Sequence, residues 1–203
     1  MSDSFDPMSA NNPADEHRGD TGTIVLGGHG EVAKYDVRAV AIAECDAANA
    51  AIAVAMAAGG LPGEIVAMLL STQNDLFDVD ADLAVPANVP DGTPVRISEE
   101  HVERLDRAIE HYREQAQDLD GLVLPGGTIA SALLFQARAT VRRAERAVWA
   151  AVDQYPETVN AETGRYLNHL STLLFTIARG ANAEHGDAVW VPGWSVAPAT
   201  DEQ

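Results

Sequence analysis

Arg138, Arg142, Arg143 and Arg146 crowd into one short stretch with Glu145 among them. In an α-helix, residues three or four apart share a face, so Arg138, Arg142, Arg146 and Glu145 point roughly the same way. Guanidiniums spaced like this repel one another unless an anion sits between them. Arg forks bind phosphate oxygens bidentately, so a triphosphate suits the row. The plainer alternative is a solvated face braced by Glu145 and by carboxylates from elsewhere, and spacing alone does not choose between them. Just upstream, Pro125-Gly126-Gly127 reads as a turn opening the helix that carries the row.

The elements that must position these side chains read as helices. Residues 38–59 carry Val40, Ile42, Ala47, Ile52 and Val54 at mostly helical spacing, closed by Gly59-Gly60. A second helix starts near Pro62, a good first-turn residue, and runs towards Leu83. Pro86, Pro90 and Pro94 mark a connection. Ser98 is placed to cap a third helix with Val102, Leu105, Ile109 and Tyr112 as its apolar stripe. A fourth follows Gly126-Gly127 to about Gln154, and a fifth spans about Asn160 to Asn182. With no convincing strand and no heptad array, the expectation is an all-α, five-helix bundle forming a single domain over residues 16–193. Residues 1–15 and 194–203 read as tails, and residues 16–37 as a Gly-rich structured loop.

The chain has 203 residues, 46% hydrophobic and 5% aromatic, enough for one core built of aliphatic and small side chains. A formal net charge of −18 argues against nucleic acid or an anionic membrane surface as partner. Lys34 is the single lysine beside twelve arginines. The lone Cys45 excludes an internal disulfide and suits a reducing cytoplasm. The sequence shows neither a charged-then-apolar leader nor an apolar run of about 18 residues, so a soluble cytoplasmic protein is expected. No metal site is expected: none of the six histidines has Glu three positions earlier, as a di-metal bundle would need. His101 and His111 read as surface residues. Gly27-Gly28-His29-Gly30 lacks the strand-to-helix setting of a dinucleotide fingerprint.

Five ordered blocks resemble one family, the PduO-type ATP:corrinoid adenosyltransferases. Leu122 to Arg146 resembles that family's F-x-L-P-G-G, A-L-H-x-A-R and R-R-A-E-R. Gly19-Asp20-Thr21-Gly22 resembles its T-G-D-x-G loop, and Lys34 falls at the lysine of R-V-x-K. Asp46 to Asn49 resembles D-E-L-N. Gln73 to Pro86 resembles Q-x-x-L-F-x-x-G-A-D-L-A-T-P, and Tyr166 to Arg179 resembles Y-L-N-R-L-S-D-L-L-F-x-x-A-R. The resemblance implies a homotrimer that takes ATP, with Mg2+, and a reduced cobalamin or related corrinoid as substrates. A cobalt(I) nucleophile would attack the 5′-carbon of ATP and expel triphosphate.

It also implies roles. Lys34, Arg142, Arg143 and Arg146 would grip phosphate, with Glu145 orienting the arginines. Gly19, Asp20 and Gly22 would form the phosphate loop, glycine allowing close backbone approach. Asn168 would bind adenosine, and Leu122 would lie at the lower face of the corrinoid. Asp46 and Arg138 would form a salt bridge between subunits beside the site. Their plainer reading is a surface pair of little energy. Trp190 and Trp194 would cover the corrinoid, or else pack the terminus.

Departures cluster in the loop. Glu16, His17 and Arg18 replace a T-K-T or T-R-T run, Ile24 and Val25 replace hydroxyl residues, and Glu31 replaces the R-V-x-K arginine. Elsewhere Leu122 replaces a phenylalanine, Phe135 a histidine, Ala47 a glutamate and His169 an arginine. Two readings stay open: a working adenosyltransferase with a variant phosphate loop, or a corrinoid-binding or regulatory paralogue that turns ATP over poorly.

Overall fold

The computed structural model describes residues 19–89, 96–114 and 121–196. Within them, five helices fall where the periodicity placed them: α1 Val37–Ala58, α2 Gly63–Ala84, α3 Glu99–Arg113, α4 Ile129–Gln154 and α5 Ala161–Gly180. Their starts are set by side chains that satisfy orphan N–H groups of the first turn. Asp36 accepts from the Arg38 amide, Thr128 from Ser131 and Asn160 from Glu162. Ser98 caps α3 as expected, and His101 completes a capping box with it. His101 is therefore half-buried and structural rather than a surface residue. Pro62 is the cap of α2, one place ahead of the first-turn position expected for it.

Helix α1 runs antiparallel to α4. Tyr155 Oη donates to Asp36 at one end, Arg143 Nε donates to Glu44 midway, and a Cβ on Gly59 would lie 3.3 Å from the Ala130 Cα at the other end. Each buried face carries a period of seven: Ala41, Cys45, Ala48, Ile52 and Ala55 on α1, and Leu134, Ala137, Val141, Ala144, Val148 and Ala151 on α4. This corrects the expectation of no heptad pattern. The repeat is hidden in the sequence because α1 has alanine on every face. Small seam residues let the two axes approach closely, and α5 closes the core with Tyr166, Leu167, Leu170, Leu173 and Leu174. Asp82, fully buried at the end of α2, accepts from Arg96 Nη1 (2.6 Å), the Ile97 amide (2.9 Å) and Asn160 Nδ2 (2.7 Å). That knot ties α2 to the starts of α3 and α5, and its charge is compensated as a buried carboxylate requires.

The Gly-rich stretch holds strand after all. β1 (Thr23–Leu26) and β2 (Gly30–Ala33) form an antiparallel hairpin, Thr23 opposite Ala33 and Leu26 opposite Gly30. Ile24, Val25 and Val32 supply the β-branched content, and the buried Leu26 anchors it. Helix α1 is long and apolar enough to cross a membrane by length and composition, contrary to the expectation of no such run. One third of that apolar window is buried within the chain, the rest facing outward. The expected tails lie outside the described residues, except for a 3-10 turn at Trp194–Val196. Glu16, His17 and Arg18 lie outside them too.

Candidate functional site

The phosphate-loop candidates do come together at the hairpin. Gly19 and Gly22 take positive φ angles of 93° and 81°, which glycine adopts without strain. A Cβ on Gly19 would lie 2.8 Å from Lys34 Cε and 2.9 Å from its Nζ, so the chain's one lysine lies across a bare backbone turn. The Gly22 amide donates to the Gly19 carbonyl (3.0 Å) and the Lys34 amide to Gly22 (2.9 Å), closing that turn. Asp20 is exposed beside it. Glu31, the arginine replacement, accepts from Thr23 Oγ1 at 2.6 Å, drawing one loop hydroxyl away from any anion. Ile24 and Val25 are exposed.

Next to the hairpin, a charged knot fixes the start of α1 against the end of α4. Arg38 Nε and Nη2 each donate to Asp36 at 2.9 Å, Nη1 donates to His29 Nδ1 at 2.8 Å, and the guanidinium lies 4.0 Å over the Tyr155 ring. Because Arg only donates, His29 Nδ1 is the acceptor and its proton sits on Nε2. Burial and the Arg38 charge hold His29 below its ordinary pKa, while hydrogen bonds from Arg38 hold Asp36 down to about 2.

The arginines of α4 divide. Arg142 and Arg146 are exposed and make no ion pair among the described residues, whereas Arg143 turns to Glu44 of α1. Glu145 is half-buried and pairs with none of them there, so its expected orienting role has no contact behind it. Arg138 lies deeper, its guanidinium 5.2 Å over the Phe175 ring and its Nε buried without a partner. Burial and the neighbouring Arg142 charge lower its pKa. Asp46 does not meet Arg138 within the chain; its carboxyl lies against Asp80 of α2 instead. Asn168 is exposed on α5. Gly164 packs on Trp149 and Asn182 on Gly127, a register that brings Asn168 to the height of Glu145. No hydrogen bond or ion pair joins Lys34 to the α4 arginines among the described residues.

Leu122 sits at the opposite end of α4. Its carbonyl accepts from the Trp190 amide (2.7 Å), the Leu124 amide donates to Ala188 (2.8 Å), and Val123 bridges Val189. Leu122 is 67% exposed and Trp194 71%, and an open cleft of 470 Å³ is lined by Leu124, Trp190, Val191, Gly193, Trp194 and Ser195. The Pro-Gly-Gly turn is locked to α5. Asn182 Oδ1 accepts from the Thr128 amide (2.9 Å), its Nδ2 donates to Gly126 (3.2 Å), and a Cβ on Gly127 would lie 2.2 Å from the Asn182 side chain.

A further cluster, Asp75, Asp78 and His101, brings its ligand atoms within 4.8 Å of one another. Asp75 is already engaged by Arg104 and by Tyr166 Oη (2.7 Å), and His101 Nδ1 by the α3 cap, so the set reads as packing. Sequence reasoning missed the Asp36–Arg38–His29–Tyr155 knot, which carries no motif. It also passed over Asp80, whose signal was the glycine of Q-x-x-L-F-x-x-G-A-D-L-A-T-P at that position.

The protein-family model described as cobalamin adenosyltransferase matches residues 15–181. The chain belongs to that family. Its relatives include the corrinoid adenosyltransferase of Mycobacterium tuberculosis (strain ATCC 25618 / H37Rv), 48% identical over 176 residues, which cover 86% of this chain and 91% of that protein. The corrinoid adenosyltransferase of Bacillus subtilis (strain 168) is 37% identical over 171 residues, 83% of this chain and 86% of that one. Among solved structures, a variant PduO-type ATP:corrinoid adenosyltransferase from Lactobacillus reuteri, complexed with cobalamin and ATP, matches with a TM-score of 0.78. That match has 27% identity and covers 87% of this chain and 96% of that chain. The family's five-helix architecture is thus shared across the chain, small hairpin included.

Proposed function

We propose that this chain transfers the 5′-deoxyadenosyl group of ATP to the cobalt of a reduced corrinoid, giving adenosylcobalamin and triphosphate. The observation that carries the reading is the pair of exposed, unpaired guanidiniums of Arg142 and Arg146, on the helix whose sequence matches the family's R-R-A-E-R. A carboxylate-braced face would have engaged them; an incoming polyphosphate leaves them free to fork onto its oxygens.

In this reaction the cobalt(I) electron pair forms the bond to C5′, the C5′–O bond breaks, and its electron pair leaves with triphosphate. The protein positions and neutralises rather than bonding covalently. Arg142 and Arg146, with Lys34, would offset charge on the departing triphosphate, to which Mg2+ comes already bound as part of the ATP substrate. Gly19 and Gly22 would let phosphate approach the backbone, Asp20 would flank it, and Asn168 would orient adenosine. Arg143 is tied to Glu44, so we assign it to holding α1 on α4, and Glu145 to shaping the phosphate face. The apolar cleft beside Leu122, with Trp190 and Trp194, would seat the corrinoid and keep water from cobalt.

We also propose a homotrimer. The outward stripe of α1, Val40, Ala43, Asp46, Ala50, Val54 and Ala57, is apolar apart from Asp46, and Arg138 has a buried Nε that nothing in the chain satisfies. Arg138 of a neighbouring copy on Asp46 would answer both. The buried Cys45 suits the reducing cytoplasm in which we place the protein.

The test is anaerobic. Protein, chemically reduced cobalamin and Mg-ATP should give the adenosylcobalamin spectrum with one triphosphate per corrinoid. Corrinoid binding without conversion would instead favour the non-catalytic paralogue, a reading whose one supporting contact is Glu31 on the Thr23 hydroxyl.

A further inference from the structure

Asp80 on α2 lies against Asp46 on α1, and their carboxyl groups hydrogen-bond. Ionised carboxylates only accept, so one of the two must carry a proton. The second Asp80 oxygen, Oδ1, is buried with no partner. Asp46 is the charged group that acts on Asp80, and the Cys45 thiol, also on α1, is the other titratable group facing it. No cation pairs with Asp80 among the described residues. Since the family block has glycine here, this chain has placed an extra carboxyl under one of the two residues assigned above to the subunit contact.

We propose that Asp80 is a positioning residue: as a neutral acid it donates its proton to Asp46 and holds that carboxylate towards Arg138 of a second copy. The inference rests on the trimer reading. Asp80 keeps its proton at neutral pH because burial, and after it the Asp46 charge, pushes it up to about 8. Asp46 is exposed and remains the anion of the pair, which is the form a guanidinium needs. Above that pH, two adjacent carboxylates repel and Asp46 loses its tether. Cys45 does not complicate this range, since burial and the charges of Asp80, Asp46 and Glu44 raise its thiol well above the ordinary value.

The experiment compares wild type with Asp80→Asn, which donates at every pH, and Asp80→Gly, which restores the family's residue and donates at none. Trimer association by sedimentation and adenosylation from chemically supplied cobalt(I) are followed from pH 6.5 to 9.5. One unit above its pKa an acid keeps about a tenth of its protons, so wild type should lose about tenfold in association between pH 7 and 9. Asp80→Asn should stay level and match wild type at pH 7, while Asp80→Gly should be weaker there but equally level. The unfolding constant gives a second readout that needs no activity. Between roughly pH 4 and 8 the native state alone holds this proton, so wild type should lose stability relative to Asp80→Asn, by up to about tenfold in that constant per pH unit. A trimeric wild type whose pH profile coincides with that of Asp80→Asn, or whose association strengthens with pH, overturns the proposal alone. A monomeric wild type overturns the trimer reading, and the proposal falls with it.

Discussion

The two ends of α4 are held by different physics. At its start, Thr128, Gly126 and Gly127 are locked to α5 through the neutral amide of Asn182, which is 2% exposed. At its end, Tyr155 joins Asp36, Arg38 and His29 in a knot of charged and titratable groups that also carries the hairpin. The corrinoid side of the proposed site is therefore set by bonds indifferent to pH. The phosphate side depends on His29 staying neutral and Asp36 staying ionised. One end is built for shape, the other for charge.

The largest effect should come at the charged end. Arg142→Ala removes a donor aimed at the leaving group, and losses at such positions run on the order of a hundredfold in kcat. A rate within threefold of wild type in the anaerobic assay would mean that the row is only a solvated face. Asn182→Ala strands the Thr128 amide and the Gly126 carbonyl, so urea denaturation should show a loss of about 1–3 kcal/mol, the same at pH 5 and pH 8. A pH-dependent loss would erase the contrast between the two ends.

A smaller, pH-bound effect is expected at His29. Its folded pKa lies below the unfolded value near 6.5, so the unfolded state binds more protons, and its contribution is present above about pH 6.5 and lost as pH falls below it. Relative to His29→Asn, wild type should thus lose stability in that acid window and not between pH 7 and 8. The least effect belongs to Leu122→Phe, an apolar swap on an exposed surface. Adenosylation starting from cobalt(II) should speed up by a few-fold and less from cobalt(I), and equal rates from cobalt(II) would refute a role for the ring.

Much of this architecture is legible without coordinates, because helices announce themselves through apolar periodicity and capping residues. Ser98, Thr128 and Asn160 all cap helices in the structure. The hairpin was not legible, since four-residue strands such as Thr23–Leu26 are too short to show alternation amid glycines. The α1–α4 seam was hidden because alanine occupies inward and outward positions alike. At the site, the Gly19, Gly22 and Lys34 grouping and the arginine row follow from the family blocks. Arg143 turning to Glu44 and Asp80 meeting Asp46 do not, since both depend on which helix faces which. Resemblance identifies the chemistry; packing decides which side chains are free to perform it.

The central claim, that this variant loop and the α4 arginines still hold ATP, is tested most directly by calorimetry of Mg-ATP binding to wild type, Lys34→Ala and Arg142→Ala. Wild type should bind one nucleotide per subunit, and each substitution should weaken binding by at least about tenfold, or about 1.4 kcal/mol. Wild-type protein that binds corrinoid yet shows no heat with millimolar Mg-ATP would contradict the account and leave the corrinoid-binding paralogue in its place.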